Sequence, residues 1–221
     1  MPVRARTRWG TMAGMDADQV AALSALLGPS GWMEQTREFS RALRVSARTP
    51  GGLLLVGTPD DEPWHLTAHL TDESRLAGNP GLAPTLVRWS PPPDAPAHLR
   101  VGLARLAAAR RGETLLVVSA EAAPVPLLER VDDARRIGAT ILALDQGDPE
   151  LDSLAHESLI VRAGTAPVSF DAAQHLVSSA AGGRSGLGEG RGPGGGRGGD
   201  RGLRQRLARL LDTLSGTPPA G

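Results

Sequence analysis

Residues 112–145 constrain the possible fold of this chain more than any other stretch. They contain a short apolar run at 114–118, a helical stretch at 124–137, a glycine and a second apolar run at 139–144. This order of strand, amphipathic helix and strand is typical of a βαβ unit, whose crossover is right-handed. Because both runs are apolar on both faces, we predict a parallel sheet with helices covering each side.

The same alternation of strands and helices continues on both sides of this unit. Five strands interleaved with helices, and preceded by two helices, predict an α/β fold: a three-layer αβα sandwich around a parallel sheet of about five strands. The predicted strands span residues 53–56, 82–89, 114–118, 139–144 and 158–161, and the predicted helices span residues 17–27, 33–48, 62–71, 97–110, 124–137, 148–155 and 168–181.

Composition divides the chain into one folded domain and its tails. Residues 1–14 are predicted to be a disordered leader, and residues 15–181 the α/β domain. Of the 21 residues in 182–202, twelve are Gly and four are Arg, so this segment is predicted to be a flexible linker. Residues 203–221 then form an amphipathic helix and tail, whose leucine stripe at 203–214 predicts docking on this domain, a second copy or another protein.

Several function classes are disfavoured by composition. The formal net charge is zero, so no overall field favours nucleic acid, and the four arginines of the linker are a weak signal for RNA. There is no cysteine, which rules out disulfides and thiolate chemistry. No apolar run approaches the roughly 20 residues that span a bilayer, and no secretory signal follows the basic start. A soluble cytoplasmic protein is predicted.

Three hydroxyl residues occupy the positions where parallel strands present ligand sites. Thr58 follows the first strand, Ser119 ends the third, and Thr165 follows the last. We predict these three as ligand-binding residues at the carboxyl edge of the sheet. Ser119 could equally cap the following helix, and ordinary turn roles are the alternative for the two threonines.

Two histidines form the sharpest chemical signal. His65 and His69 are four residues apart on a predicted helix, so they share a face and could hold Zn²⁺ if a third ligand came from elsewhere. The alternative is a pair of partly exposed surface histidines. The neighbouring Asp60, Asp61 and Glu62 are candidates for acid/base groups, or simply charges at a helix N-terminus.

Over residues 33–181 the chain resembles the sugar isomerase (SIS) domain, and within it the phosphoheptose isomerase-like branch. The motifs that carry the resemblance are GETLLVVS, DARRIGATILALD, LDSLAHESLIV and LLLVGTPDDEPWHLTAHL. The resemblance implies a phosphosugar-type ligand and a dimer or tetramer assembled through the N-terminal helices. His65 and His69 fall on that branch's His-x-x-x-Glu motif, and His175, with Asp171, lies on the helix that carries further metal ligands.

The departures from the family pattern lie in its two ligand loops. The first loop is usually Asn-Gly-Gly-Ser-like, whereas this chain has Thr-Pro-Asp-Asp at 58–61. The second is usually Ser-x-Ser-Gly-x-(Ser/Thr), whereas this chain has Ser-Ala-Glu-Ala-Ala-Pro at 119–124. Carboxylates in these loops repel phosphate, which is normally bound by N–H groups and hydroxyls.

Three functions are compatible with these residues, and the sequence does not decide whether the chain is an enzyme. The leading hypothesis is a diverged SIS-type domain that binds a phosphosugar-like or other carbohydrate derivative without isomerase turnover. One alternative is an active metal-dependent isomerase that uses His65 and His69. The other is an interaction scaffold that acts through the tethered C-terminal helix.

Overall fold

Five strands form a single sheet in the computed structural model, which describes residues 31–183. The strands are β1 (Leu53–Val56), β2 (Thr85–Val87), β3 (Thr114–Ser119), β4 (Thr140–Asp145) and β5 (Glu157–Ile160). Their order across the sheet is β2-β1-β3-β4-β5, and every neighbouring pair is parallel. The predicted parallel sheet is confirmed.

Helices cover both faces of this sheet. They are α1 (Trp32–Ser46), α2 (Trp64–Ala77), α3 (Ala104–Ala107), α4 (Val125–Ile137), α5 (Pro149–Leu154) and α6 (Phe170–Ala181). α1, α2 and α6 pack on one face, and α3, α4 and α5 pack on the other, each layer with its own apolar core. The predicted three-layer αβα sandwich is therefore confirmed.

Several sequence predictions concern residues outside the described part of the chain. These are the leader at 1–14, the helix at 17–27, nearly all of the linker at 182–202 and the terminal segment at 203–221. They stay predictions. Within residues 31–183, no helix is both long and apolar enough to span a membrane.

The central strands explain why the sequence folds in this way. Every residue of β3 is buried, and so are five of the six residues of β4. Successive side chains alternate between the two cores, with Leu116 in one and Leu115 and Val117 in the other. Gly138 ends α4 with a φ of 101°, a conformation that an L-residue with a side chain adopts only with strain.

The helix predicted at residues 97–110 is wrong. A 3₁₀ turn at Ala97–Leu99 and the four-residue α3 take its place. Between them the chain runs alongside the end of β2, where Arg88 pairs with Gly102 in a parallel bridge and donates its N–H to Val101. This non-local pairing overrides the leucine spacing on which the helix prediction rested. The strand predicted at 82–89 is likewise shortened, because residues Pro80–Leu82 form a 3₁₀ turn.

Candidate functional site

The carboxyl ends of neighbouring strands bring the predicted ligand loops together. Val56 lies opposite Val117, so the loop after β1 runs beside Ser119 at the end of β3. Ser119 in turn lies opposite Asp145, the last residue of β4. The loops after β1, β3 and β4 therefore share one edge of the sheet.

The hydroxyl groups of Thr58 and Ser119, at this edge, each make a hydrogen bond within their own loop. Thr58 is 6% exposed, and its Oγ1 accepts the N–H of Asp61 at 3.2 Å. Ser119 is 1% exposed and donates to the carbonyl of Glu121. Gly57 permits the tight first loop, because a Cβ there would lie 2.1 Å from the carbonyl oxygen of Asp61. The structure thus gives Thr58 and Ser119 internal partners rather than an open crevice.

Two carboxylates accept hydrogen bonds from the backbone N–H groups at this edge of the sheet. Asp148 accepts the N–H of Ala123, in the loop after β3, at 2.7 Å through one oxygen. Through its other oxygen it accepts the N–H groups of Glu150 and Leu151 at 2.9 and 3.3 Å, and so caps α5. One side chain therefore joins the loops that follow β3 and β4, with its negative charge at the start of two helices.

Asp145 adds a second, deeper carboxylate. Its Oδ1 accepts the N–H groups of Gly147 and Asp148 at 2.5 and 3.0 Å, whereas its Oδ2 is buried and has no hydrogen-bond partner among residues 31–183. Burial raises the pKa of Asp145 above its usual range despite these two bonds, and the nearby carboxylates of Asp152 and Asp148 add to the rise.

Of the three acids proposed for proton transfer, Glu62 is fully engaged in structure. Its carboxylate pairs with Arg88 at 2.8 Å and accepts the backbone N–H of Trp89 at 3.1 Å. The Arg88 guanidinium also lies over the ring of Trp64, 4.6 Å from its centroid. Glu62 thus ties the start of α2 to the end of β2, while Asp60 and Asp61 are exposed.

The helices bring three histidines into one cluster. His65 and His69 lie on α2, and His175 lies on α6, which packs against α2. Each histidine offers one ring nitrogen, and these three nitrogens all lie within 4.8 Å of one another. The rings of His69 and His175 are the nearest pair, with centroids 4.1 Å apart. His175 thus supplies a third imidazole beside the two that helical spacing paired, and the metal site stays a prediction.

Electrostatics favour a neutral imidazole at the centre of this cluster. Burial lowers the pKa of His175 to about 4, and the neighbouring His69 and His65 lower it further than Asp171 raises it. The ring of His175 therefore carries no proton on one nitrogen at neutral pH, and that nitrogen has a lone pair available for a metal ion.

The donor set suits a borderline transition metal such as zinc. Imidazole nitrogens bind Zn²⁺ at about 2.0–2.1 Å, which puts nitrogens of a tetrahedral site about 3.4 Å apart. His65 is exposed and the other two histidines are half-buried, so small rotations of the rings can close the remaining distance. Three protein ligands leave one position for an outside oxygen atom.

Thr165 lies apart from this cluster. It is exposed and lines a groove between α1 and β5. The structure therefore brings Thr58 and Ser119 to one edge and the three histidines to one helix pair, and places Thr165 elsewhere.

Sequence reasoning missed the two carboxylates that close the strand edge. Asp145 directly follows the predicted strand at 139–144 and Asp148 begins the predicted helix at 148–155, but neither is among the predicted site residues. The signal was the segment DQGDP directly after an apolar strand, which places two acids beside neighbouring backbone N–H groups.

Solved structures share this fold at low sequence identity. A protein described as a phosphosugar isomerase, from Silicibacter pomeroyi DSS-3, has a TM-score of 0.53 and 16% identity, covering 90% of this chain and 54% of its own. A protein described as a sugar binding protein, from Salmonella typhimurium LT2, has a TM-score of 0.51 and 15% identity, covering 89% of this chain and 56% of its own. The sugar isomerase domain of an RpiR transcription factor from Sphaerobacter thermophilus has a TM-score of 0.47 and 15% identity, covering 90% of this chain and 96% of its own.

These comparisons establish the type of fold. This chain spans little more than half the length of the first two structures, 54% and 56%. The likeness shows that this chain shares the α/β fold of the first two structures. No protein-family model matches the sequence, and no curated protein matches it either.

Proposed function

We propose that this chain is a SIS-type domain that binds a divalent metal ion and a carbohydrate derivative, without isomerase turnover. The observation that carries the proposal is the convergence of His65, His69 and His175 from two helices, with ring nitrogens within 4.8 Å of one another. Two proteins of similar fold, described as a phosphosugar isomerase and a sugar binding protein, support the carbohydrate class.

The metal ion defines how such a ligand would bind. A metal held by three imidazoles has a position for an oxygen ligand, and sugars offer hydroxyl and carbonyl oxygens. When bound, the metal would polarise such an oxygen as a Lewis acid. His175 is the half-buried ligand with the depressed pKa, and His65 is the exposed one at the solvent side.

In this proposal the ligand is not recognised through a phosphate group. The N–H groups of the strand-end loops, which would hold a phosphate, donate instead to the carboxylates of Asp145 and Asp148. A phosphate placed there would meet two buried or half-buried negative charges. The ligand is therefore a carbohydrate derivative recognised through its oxygen atoms at the metal.

We infer the absence of turnover from the acids at the strand edge and at the start of α2. Sugar isomerisation needs a base that moves a proton between neighbouring carbons. Glu62 is held by Arg88, Asp145 and Asp148 are bound to backbone N–H groups, and Asp60 and Asp61 stand in solvent. Each of these carboxylates is therefore either engaged in hydrogen bonds or exposed to solvent.

Metal content tests the first half of the proposal. Protein purified without chelator, and then equilibrated with Zn²⁺ and desalted, should carry about one ion per chain by plasma mass spectrometry. His69→Ala and His175→Ala should each lose it. His98→Ala is the matched control, because His98 is exposed on a separate 3₁₀ turn. Loss of metal in the control, or no metal in the wild type, would refute the site.

Ligand binding and turnover test the second half. The melting temperature of the metal-loaded protein is compared across neutral sugars and their phosphates, since a ligand that binds only the folded state raises it. We expect shifts that need the metal and do not grow when a phosphate is added to the sugar. The same mixtures are followed by NMR for interconversion of aldose and ketose. Catalysed interconversion would establish an active isomerase, and no shift with any sugar would favour a scaffold.

A further inference from the structure

A groove of about 500 Å³ lies between α1 and the outer edge of β5. Its apolar lining includes Trp32, Ile160, Ala166 and Pro167. β5 pairs with β4 alone among the described strands, so its other edge faces this groove. Edge strands present unpaired backbone groups, and proteins often cover them with a helix or loop.

The two walls of the groove carry negative charge. Glu38 stands on the α1 wall and Glu157 on the β5 wall, and both side chains are exposed. Arg162 is the one cation among the lining residues. An occupant with an apolar stripe flanked on both sides by cations would complement this arrangement.

We infer that residues 203–214 of this same chain dock in the groove as an amphipathic helix. Leu203, Leu207, Leu210 and Leu214 are spaced for one stripe of a helix with 3.6 residues per turn. At 100° per residue, Arg204 and Arg206 fall on opposite sides of that stripe. The leucines meet the apolar lining, and the two arginines meet the acidic walls.

The tether allows this docking. α6 ends beside α1, where the Arg44 guanidinium donates to the carbonyl of Ala180 at 3.4 Å. Glu38 and Gln35, which line the groove, are about 9–14 Å further along α1 at 1.5 Å per residue. The composition and length of residues 184–202 predict a root-mean-square end-to-end distance of about 22–26 Å.

Charge favours residues 203–214 over another apolar segment of the chain as the occupant of the groove. Residues 16–27 also carry apolar residues, but their charged residues are Asp16 and Asp18, with no arginine. Docking of residues 16–27 would therefore place these two carboxylates beside the negatively charged walls of the groove, where they would be repelled. Residues 203–214 carry Arg204, Arg206 and Arg209 against Asp212, which gives them a net positive charge.

Hydrogen exchange on the full chain tests the inference. In Leu207→Asp/Leu210→Asp, backbone amides of residues 157–162 should exchange about tenfold faster or more, because the edge strand loses its cover. Gln205→Asp/Ala208→Asp adds the same charge on the opposite side of the helix, and its exchange should match the wild type. Exchange in β3 serves as the internal reference for an intact domain in both variants.

Three results would overturn the inference. The first is unchanged exchange in the leucine variant. The second is faster exchange only in Leu23→Asp/Leu26→Asp, which would assign the groove to residues 16–27. The third is protection that rises with protein concentration, which would assign it to a second copy of the chain.

Charge reversal supplies an independent check. Glu38→Arg/Glu157→Arg should speed exchange at residues 157–162, and adding Arg204→Glu/Arg206→Glu should restore the slow rate. If the added substitutions Arg204→Glu/Arg206→Glu do not restore slow exchange at residues 157–162 while exchange in β3 is unchanged, the docked orientation is contradicted.

Discussion

At the residue scale, α2 presents one stripe toward α6, formed by His65, His69 and Glu73 at four-residue spacing. The two histidines meet His175, whereas Glu73 is buried against the end of α6. There, a Cβ on Gly182 would lie only 2.3 Å from Oε2 of Glu73. The absence of a side chain at Gly182 thus sets how closely the two helices that carry the histidines approach each other.

Replacing this glycine should therefore weaken the fold. Gly182→Ala is expected to lower the free energy of unfolding by about 1–3 kcal/mol, the usual cost of overpacking a buried contact. Gly102→Ala is the matched control, because the nearest atom to a Cβ there lies 3.8 Å away. Urea denaturation followed by circular dichroism measures both. Equal stability of the two variants would mean that Glu73 moves aside without cost.

Asp145 should make stability depend on pH in a defined direction. Burial raises its pKa in the folded protein, so the folded state holds this proton to higher pH than the unfolded state does. Its contribution is fully present below about pH 4 and is lost as the pH rises through the folded pKa. The wild type should therefore lose stability relative to Asp145→Asn as the pH rises from 4 to 7.

The asparagine variant keeps an oxygen for the two backbone N–H groups and removes the charge, which makes it a fair comparison. Urea midpoints measured at several pH values give the difference directly. A gap between the two proteins that stays constant with pH would show that Asp145 does not titrate in this range.

At the element scale, Asp148 connects the starts of α4 and α5 where phosphate would otherwise bind. Asp148→Ala should lose about 1 kcal/mol of stability, as is usual when a helix cap is removed. It should also gain stability from inorganic phosphate, because the N–H of Ala123 loses its carboxylate partner. Urea unfolding in phosphate and in chloride of equal ionic strength measures both effects.

Ser169→Ala is the matched control for this prediction. Ser169 caps α6 by accepting the N–H of Ala172 at 3.2 Å, so its loss removes a cap at another place. The general salting effect of phosphate is common to all these proteins. If phosphate stabilises the wild type as much as Asp148→Ala, the carboxylate does not exclude anions.

Local patterns were sufficient to predict most of the elements. The sequence predicts the buried runs of β1, β3 and β4 and the start of α5 at Asp148, whereas it places the start of α6 two residues too early, because Ser169 is the cap and not a helical residue. Local patterns did not predict the structure of residues 97–110, because it depends on the non-local pairing of Arg88 with Gly102. The pair His65 and His69 followed from helical spacing, and the family resemblance added His175, but only the packing of α6 on α2 shows that the three rings lie together.

At the scale of the whole molecule, the histidine cluster links two helices that are far apart in sequence. α2 follows the first strand and α6 follows the last, so the two helices come from distant parts of the described sequence. A metal ion bound by both would disfavour any opening that separates them. Binding to the folded state alone stabilises the protein by about 2.7 kcal/mol when the ligand is at 100 times its dissociation constant.

Zn²⁺ should therefore raise the melting temperature of the whole domain in a cooperative transition. His175→Ala should abolish the rise because it removes the only cluster ligand on α6, whereas His98→Ala should retain it. Calorimetry with and without a chelator measures the shift, and exchange at α2 and α6 locates it. If His175→Ala keeps the full shift in melting temperature, α2 alone holds the ion, and metal binding does not link α2 to α6.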